Sequence, residues 1–297
     1  MAASYDLDEN IASGGQSGNF SSISTGNADT ADGHFGMDAN TSRLGVSVTS
    51  PEDVTVLVEF DFDNNDSLEP RLRRAYGEYN NVLIGRDWSN YNSFVGNTPI
   101  LDFDGLPGTA GTQSRTEQIR YKTGPLSFSL EQPFSNGVGT GINADGVPTT
   151  GGTVTSSPAV TAKLEDSQGG FSYAAGVMAK QTGYDNATND DSAIGFGAFL
   201  AGKIAVTDMI SIQGAVNYSD GANGYVYRAG GNFGQYDAYT DANGDVETVE
   251  SVGGAIGASF GLGGGRSVNI GYGTAMVDLD ENIASGGQSG NFSSIST

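Results

Sequence analysis

Apolar residues recur at every second position in run after run of this chain. Val54, Val56, Val58, Phe60 and Phe62 alternate with Thr55, Leu57, Glu59 and Asp61. Leu126, Phe128 and Leu130 alternate with Ser127, Ser129 and Glu131, and Ile210, Ile212, Val216 and Tyr218 face away from Ser211, Gln213 and Asn217. The run from Ile194 through Phe196, Ala198, Leu200 and Ile204 to Val206 keeps one face for more than a dozen residues. A period of two over such lengths is the signature of strands with one face buried. No stretch shows a 3.6-residue apolar stripe with capping residues, so helices are not expected.

The residues between the apolar ones are Gly, Ser, Gln, Asn and charged types, which make a poor dry core but a good wall for water. The connections alternate too. Short turns such as Tyr79-Asn80-Asn81, Thr123-Gly124-Pro125 and Gly263-Gly264-Gly265 are interleaved with long polar loops near 10–40, 90–116, 135–156, 184–192 and 219–250. Short turns on one rim and long loops on the other describe an antiparallel up-and-down transmembrane β-barrel. About 14 strands are visible, and a barrel of about 14–16 strands is wide enough to hold water. The expected fold is thus all-β, a single domain over residues 1–297.

Composition removes other classes. Glycine is abundant (46) and proline scarce (8), without the three-residue period of collagen. No run of eighteen apolar residues forms a transmembrane helix, and a mean hydropathy of −0.27 is compatible with alternating barrel strands. Cysteine is absent, which rules out disulfides and thiolate metal sites. A net charge of −22 argues against nucleic acid as partner, since phosphate binding needs basic patches. The acids gather in 25–40, 184–192 and 236–250, read as solvated loops that a divalent cation could bridge. The chain opens MAASYDL, with no basic and apolar leader, so for an exported protein it reads as a mature or re-engineered form.

Twenty residues, DLDENIASGGQSGNFSSIST, stand at both 6–25 and 278–297. A closed ring of strands is a natural host for matching ends, because its first and last strands are neighbours. An engineered or gene-assembly overlap is the simpler origin. Only one copy can take the native place of the segment.

Charge is laid out unevenly. Seven of the 13 basic residues are Arg71, Arg73, Arg74, Arg86, Arg115, Arg120 and Lys122. Arg71 with Arg73, and Arg120 with Lys122, share faces opposite apolar neighbours and should project into the lumen, whereas Arg74 falls on the apolar register beside Leu72 and Tyr76. Glu59 and Asp61 would supply anions on the same wall. The 26 residues 89–114 are the candidate for a loop that folds inward, bringing Asp102 and Asp104 to the arginines. Charged rings of this kind select ions by sign. The same arginines could equally pair with wall carboxylates and hold the pore's shape.

Chemistry beyond transport finds little support. Asp241, Asn243 and Asp245 have the spacing of a calcium loop without its closing glutamate, which an ordinary turn explains as well. His34 is the single histidine, so no triad or His-based metal site is expected, and neither is enzymatic activity or a cofactor beyond loop-bound Ca²⁺.

Ser42-Arg43-Leu44-Gly45, Arg71-Leu72-Arg73-Arg74-Ala75-Tyr76-Gly77, Gly85-Arg86-Asp87-Trp88-Ser89, Asp102-Phe103-Asp104-Gly105-Leu106-Pro107-Gly108 and Gln118-Ile119-Arg120-Tyr121 together resemble the DcaP-like trimeric outer-membrane porins. The resemblance covers about a third of the chain, residues 41–133. It implies a homotrimer in the outer membrane of a Gram-negative-type bacterium, contacting lipid. It further implies passive diffusion of small anionic solutes such as dicarboxylates past Arg71, Arg73, Arg86, Arg120 and Lys122. The chain departs from the family in its duplicated opening segment and in lacking a final strand with a terminal aromatic. The alternative is a secreted or surface all-β structural protein, calcium-bridged and self-assembling, whose apolar faces pack sheet on sheet.

Overall fold

The alternating runs become strands in the computed structural model, which describes residues 2–6, 34–38, 42–62, 69–100, 105–142, 148–150, 152–185, 190–227, 236–241, 244–279 and 290–296. The first strands are β1 (Ala2–Asp6), β2 (His34–Asp38), β3 (Leu44–Thr49), β4 (Thr55–Asp61), β5 (Arg71–Tyr79), β6 (Val82–Trp88), β7 (Arg115–Thr123) and β8 (Leu126–Glu131). Next come β9 (Val138–Ile142), β10 (Pro148–Thr150), β11 (Thr153–Val154), β12 (Ala159–Gln168), β13 (Phe171–Asp185), β14 (Asp190–Thr207) and β15 (Ile210–Asp220). The last are β16 (Ala238–Thr240), β17 (Val246–Thr248), β18 (Glu250–Gly263), β19 (Arg266–Leu279) and β20 (Gly290–Ser296).

One sheet of 14 strands dominates. Its path runs β3-β4-β5-β6-β7-β8-β12-β13-β14-β15-β18-β19-β20, with β11 paired beside it on β13. Successive strands lie side by side and antiparallel, the up-and-down order that local pairing favours. The order skips only where the segments after β8 and β15 leave the wall. There β9, β10, β16 and β17 build a separate four-stranded sheet, so the expected long loops 135–156 and 219–250 carry strands of their own. Among the described residues no pairing joins β3 to β20. The second copy of the repeated segment supplies β20, paired with β19 from Gly273↔Ser296 to Leu279↔Gly290. Most of the first copy, residues 7–25, lies outside the described residues.

The short-turn rim is set by backbone chemistry. Asn80 and Asn81 have φ of 47° and 66°, and Gly169 and Gly170 have 56° and 83°. Two successive positive φ values make the primed turn whose twist matches its flanking strands.

The two faces of the sheet are the reverse of a soluble protein's. Val46, Ile84, Leu200, Ile256 and Ile270 are all at least 60% exposed, while Ser127, Ser129, Thr161, Gln213 and Asn217 are buried on the other face. An apolar band of this extent is not left facing water; apolar outside with polar inside is the arrangement of a membrane barrel. The sheet-on-sheet alternative does not fit, since among the described residues no second sheet lies on the apolar face.

The polar face is buried by the chain itself. Residues 89–100 and 105–114 lie along the inner faces of β8, β12, β14, β15, β18 and β19. Asn90 Nδ2 donates to Thr161 Oγ1 (2.9 Å), Tyr91 Oη to Asn217 Oδ1 (2.8 Å) and Gln213 Nε2 to Thr98 Oγ1 (3.4 Å). The far wall is lined by glycine because backbone passes backbone there. A Cβ on Gly257 would stand 2.1 Å from Thr98 Oγ1, and one on Gly273 2.5 Å from Pro107 O. Gly108, at φ +70°, comes so close that its Cβ would meet Gly254 N and Thr274 O at 2.3 Å.

Candidate pore lining

The arginine wall begins with a break in register. Pairing of β4 with β5 slips between Glu59 and Phe60, so Phe60 opposes Leu72 while Glu59 opposes Arg74 and Arg73 is the extra residue. Such a bulge turns neighbouring side chains to faces that strict alternation denies them. Arg74, which alternation leaves on the apolar register, is thereby turned inward. Its Nε donates to Asp87 Oδ1 at 2.7 Å, and Arg120 NH2 reaches Asp87 Oδ2 at 2.8 Å. On the other side of the bulge Arg71 grips Asp61 with two bonds of 2.8 and 2.9 Å, and Arg73 Nε lies 3.2 Å from Asp61 Oδ2. Arg43 stands 3.9 Å from Glu59.

Asp61 and Asp87 are therefore each shared by two guanidiniums. Asp61 is fully buried and Asp87 nearly so, while the four arginines keep between 15% and 34% of their side chains exposed. In both sets of contacts two guanidiniums face one carboxylate, with the cations on the solvent side. Lys122 sits two residues beyond Arg120, roughly 7 Å nearer the turn rim. It is exposed and makes no ion pair among the described residues. In register it stands level with Ser127 and then Lys163. Lys163 was not among the expected lining residues; its Nζ donates to Asn92 O (2.9 Å) and lies 3.2 Å from Glu165 Oε2.

Two expected residues lie elsewhere. Arg86 follows Ile84 on the apolar register, opposite Glu117, and bonds Glu117 Oε1 at 2.8 Å on the outer face. It is not part of the arginine wall. Arg115 is 8% exposed with its guanidinium carbon 3.5 Å from the Trp88 ring centroid, a cation–π stack, and its Nε and NH2 have no hydrogen-bond partner among the described residues. Trp88 in turn meets Phe94 edge-on, at 4.9 Å between centroids. Asp102 and Asp104 lie outside the described residues, as does Asn243. Asp241 Oδ1 accepts the Asp245 N–H at 2.9 Å, an ordinary loop-closing bond, and no group of three or more acidic or histidine ligands converges among the described residues.

The inward segment is held at its start by one carboxylate. Glu131, 1% exposed, accepts from Asn90 N–H (2.6 Å) and Ser129 Oγ (2.6 Å) on Oε1 and from Ser89 Oγ (2.7 Å) on Oε2. Further along, Tyr91, Phe199 and Tyr225 meet edge-on with centroids 5.0 and 5.7 Å apart, and Phe134 joins Tyr225 at 5.4 Å. Burial pushes the phenols of Tyr91 and Tyr225 well above their usual range, so both stay protonated; Tyr91 Oη donates to Asn217, and Tyr225 Oη accepts the Phe134 N–H at 3.2 Å. The interior is thus divided. Aromatic and small residues close the side of β13–β19, and the charged wall of β4–β7 borders what stays open.

No protein-family model matches the chain, and no curated protein matches it. Solved structures do. The outer-membrane channel DcaP of Acinetobacter baumannii is 26% identical with a TM-score of 0.67, over 84% of this chain and 70% of that one. A loop-deletion mutant of OmpT from Vibrio cholerae (12% identity, TM-score 0.53, 85% of this chain, 78% of that one) shares the fold. So does an anion-selective porin from Comamonas acidovorans (16%, 0.50, 83% and 71%). A polar-lined, apolar-coated antiparallel barrel with an inward segment after its arginine-bearing strands, similar in sequence and fold to DcaP, has the architecture of an outer-membrane porin.

Proposed function

We propose that the chain is a passive outer-membrane diffusion channel that prefers small anions, dicarboxylates among them. The observation that carries this reading is the sharing of Asp61 and Asp87, each by two guanidiniums, which leaves positive charge on the open side of the inner wall. Fixed charge at a narrow aqueous wall enriches counter-ions and repels co-ions. Lys122 and Lys163 continue the cationic track toward the turn rim. Residues 89–100 and 105–114 narrow the lumen opposite this wall and act as the constriction. No covalent step is needed, since passage is diffusion down a gradient. The resemblance to DcaP supports the channel, and the anion-selective porin of Comamonas acidovorans shares the fold. Three copies in lipid, with apolar outer faces against acyl chains and each other, complete the proposal.

Liposome swelling tests it. Proteoliposomes should admit a small dicarboxylate faster than a diamine of equal size, and the advantage should shrink at high salt because exposed charges are screened beyond a Debye length of about 8–10 Å. Equal rates for the two solutes at low salt would contradict the preference.

A further inference from the structure

Of the segment between β15 and β18, the described part at 221–227 and 236–241 does not stay at the rim. It enters the lumen, and one ion pair seats it there. Lys180 of β13 and Asp237 are both buried, at 3% and 0% exposure. Lys180 Nζ bonds Asp237 Oδ2 at 2.5 Å, donates to Phe134 O at 2.8 Å, and lies 5.9 Å from the Tyr225 ring centroid. Asp237 also accepts the backbone N–H of Asn136 at 3.0 Å and of Gly224 at 3.4 Å. One carboxylate thus ties a wall strand, the segment leaving β8 and the insert after β15. The body it fastens is apolar. Tyr225 fills the space between Tyr91 and Phe134, and Val226, Tyr239 and Val249 pack on Ala275 and Val277 of β19. The wall residues clustered with Tyr225 are Ala174 and Ala215 beside the larger Met178 and Phe199, and Gly253 and Ala275 back Val226. Lifting Tyr225 and Val226 off this wall would leave the space that they now fill open.

We infer that this insert is a plug that sets the channel's solute size limit, with Lys180 and Asp237 as its positioning residues. The inference rests on the channel reading above but is separable from it: the arginine wall governs the sign of the permeant ion, and the plug governs its bulk. The physics of the seat makes it sensitive. A buried ion pair is not itself strongly stabilising, yet removing one partner strands the other charge without water. Removing both charges relieves that penalty.

The experiment uses the full chain in planar bilayers and in liposomes loaded against neutral sugars of graded size. Lys180→Met should raise single-channel conductance at least about two-fold and admit larger sugars, since conduction follows the open cross-section. The sign of the zero-current potential under a salt gradient should not change. Lys180→Met/Asp237→Asn, which removes the stranded charge, should bring conductance and size limit back toward wild type. Should Lys180→Met fail to assemble, Tyr225→Ala trims the plug without touching the ion pair and carries the same expectation of larger conductance. Wild-type conductance and size limit in Lys180→Met, or a double variant as open as the single one, would overturn the inference. A wild-type chain that conducts nothing would instead remove the channel reading beneath it.

Discussion

Arg120→Glu should cut the anion-to-cation permeability ratio by about ten-fold, enough to bring the zero-current potential near zero or reverse it. The estimate follows from Coulomb's law. A permeant ion passing roughly 7 Å from this position meets a change of two unit charges, worth about 1 kcal/mol even at the dielectric of water. The effect has opposite signs for anion and cation, so the ratio moves by about twice that before screening removes roughly half. The barrel should survive the exchange, because Arg74 Nε still holds Asp87 at 2.7 Å. Arg86→Gln is the control. Its guanidinium bonds Glu117 on the outer face, so selectivity should stay at the wild-type value. Equal shifts from both variants would mean that the inner and outer faces are misassigned.

The second large effect is expected from Glu131→Ala. Three donors converge on this buried carboxylate, two of them from Ser89 and Asn90 at the start of the inward segment. Truncation leaves them without an acceptor, and buried unsatisfied groups cost roughly 1–3 kcal/mol each, so about 3 kcal/mol in sum after partial hydration is a fair magnitude. The loss is local to one end of the segment, which should then leave its berth. Folded barrel in detergent should become sensitive to chymotrypsin at Tyr91 or Phe94, and channel recordings should grow noisier, while Glu131→Gln, which keeps one acceptor oxygen, should fall between. Protease resistance identical to wild type would show that the glycine-lined wall alone holds the segment.

These cases mark how far the sequence reaches. Strands such as β8 and β14 were legible from period two, because every residue reports the same face. The expectation for Arg74 failed at the β4–β5 bulge, a one-residue slip that reverses parity and that alternation cannot foresee; the Arg73-Arg74 doublet was its only trace. For Arg86 strict alternation from Ile84 points outward, as the structure has it, and the family resemblance pointed inward. The contacts that seat the inward segment and the plug were illegible for another reason. Tyr91 meets Asn217, and Lys180 meets Asp237, across separations in the chain that no local pattern encodes. Glycines 253, 257, 271 and 273 look like weak strand residues until the segment they admit is in view.

The zero-current potential of the wild-type chain in a planar bilayer under a salt gradient tests the account most directly. Stepwise conductance with the sign of an anion-preferring pore is the expected result, because Asp61 and Asp87 are each shared by two guanidiniums on the inner wall. Cation preference from a folded, conducting barrel would contradict the account and give control of the lumen to its acids.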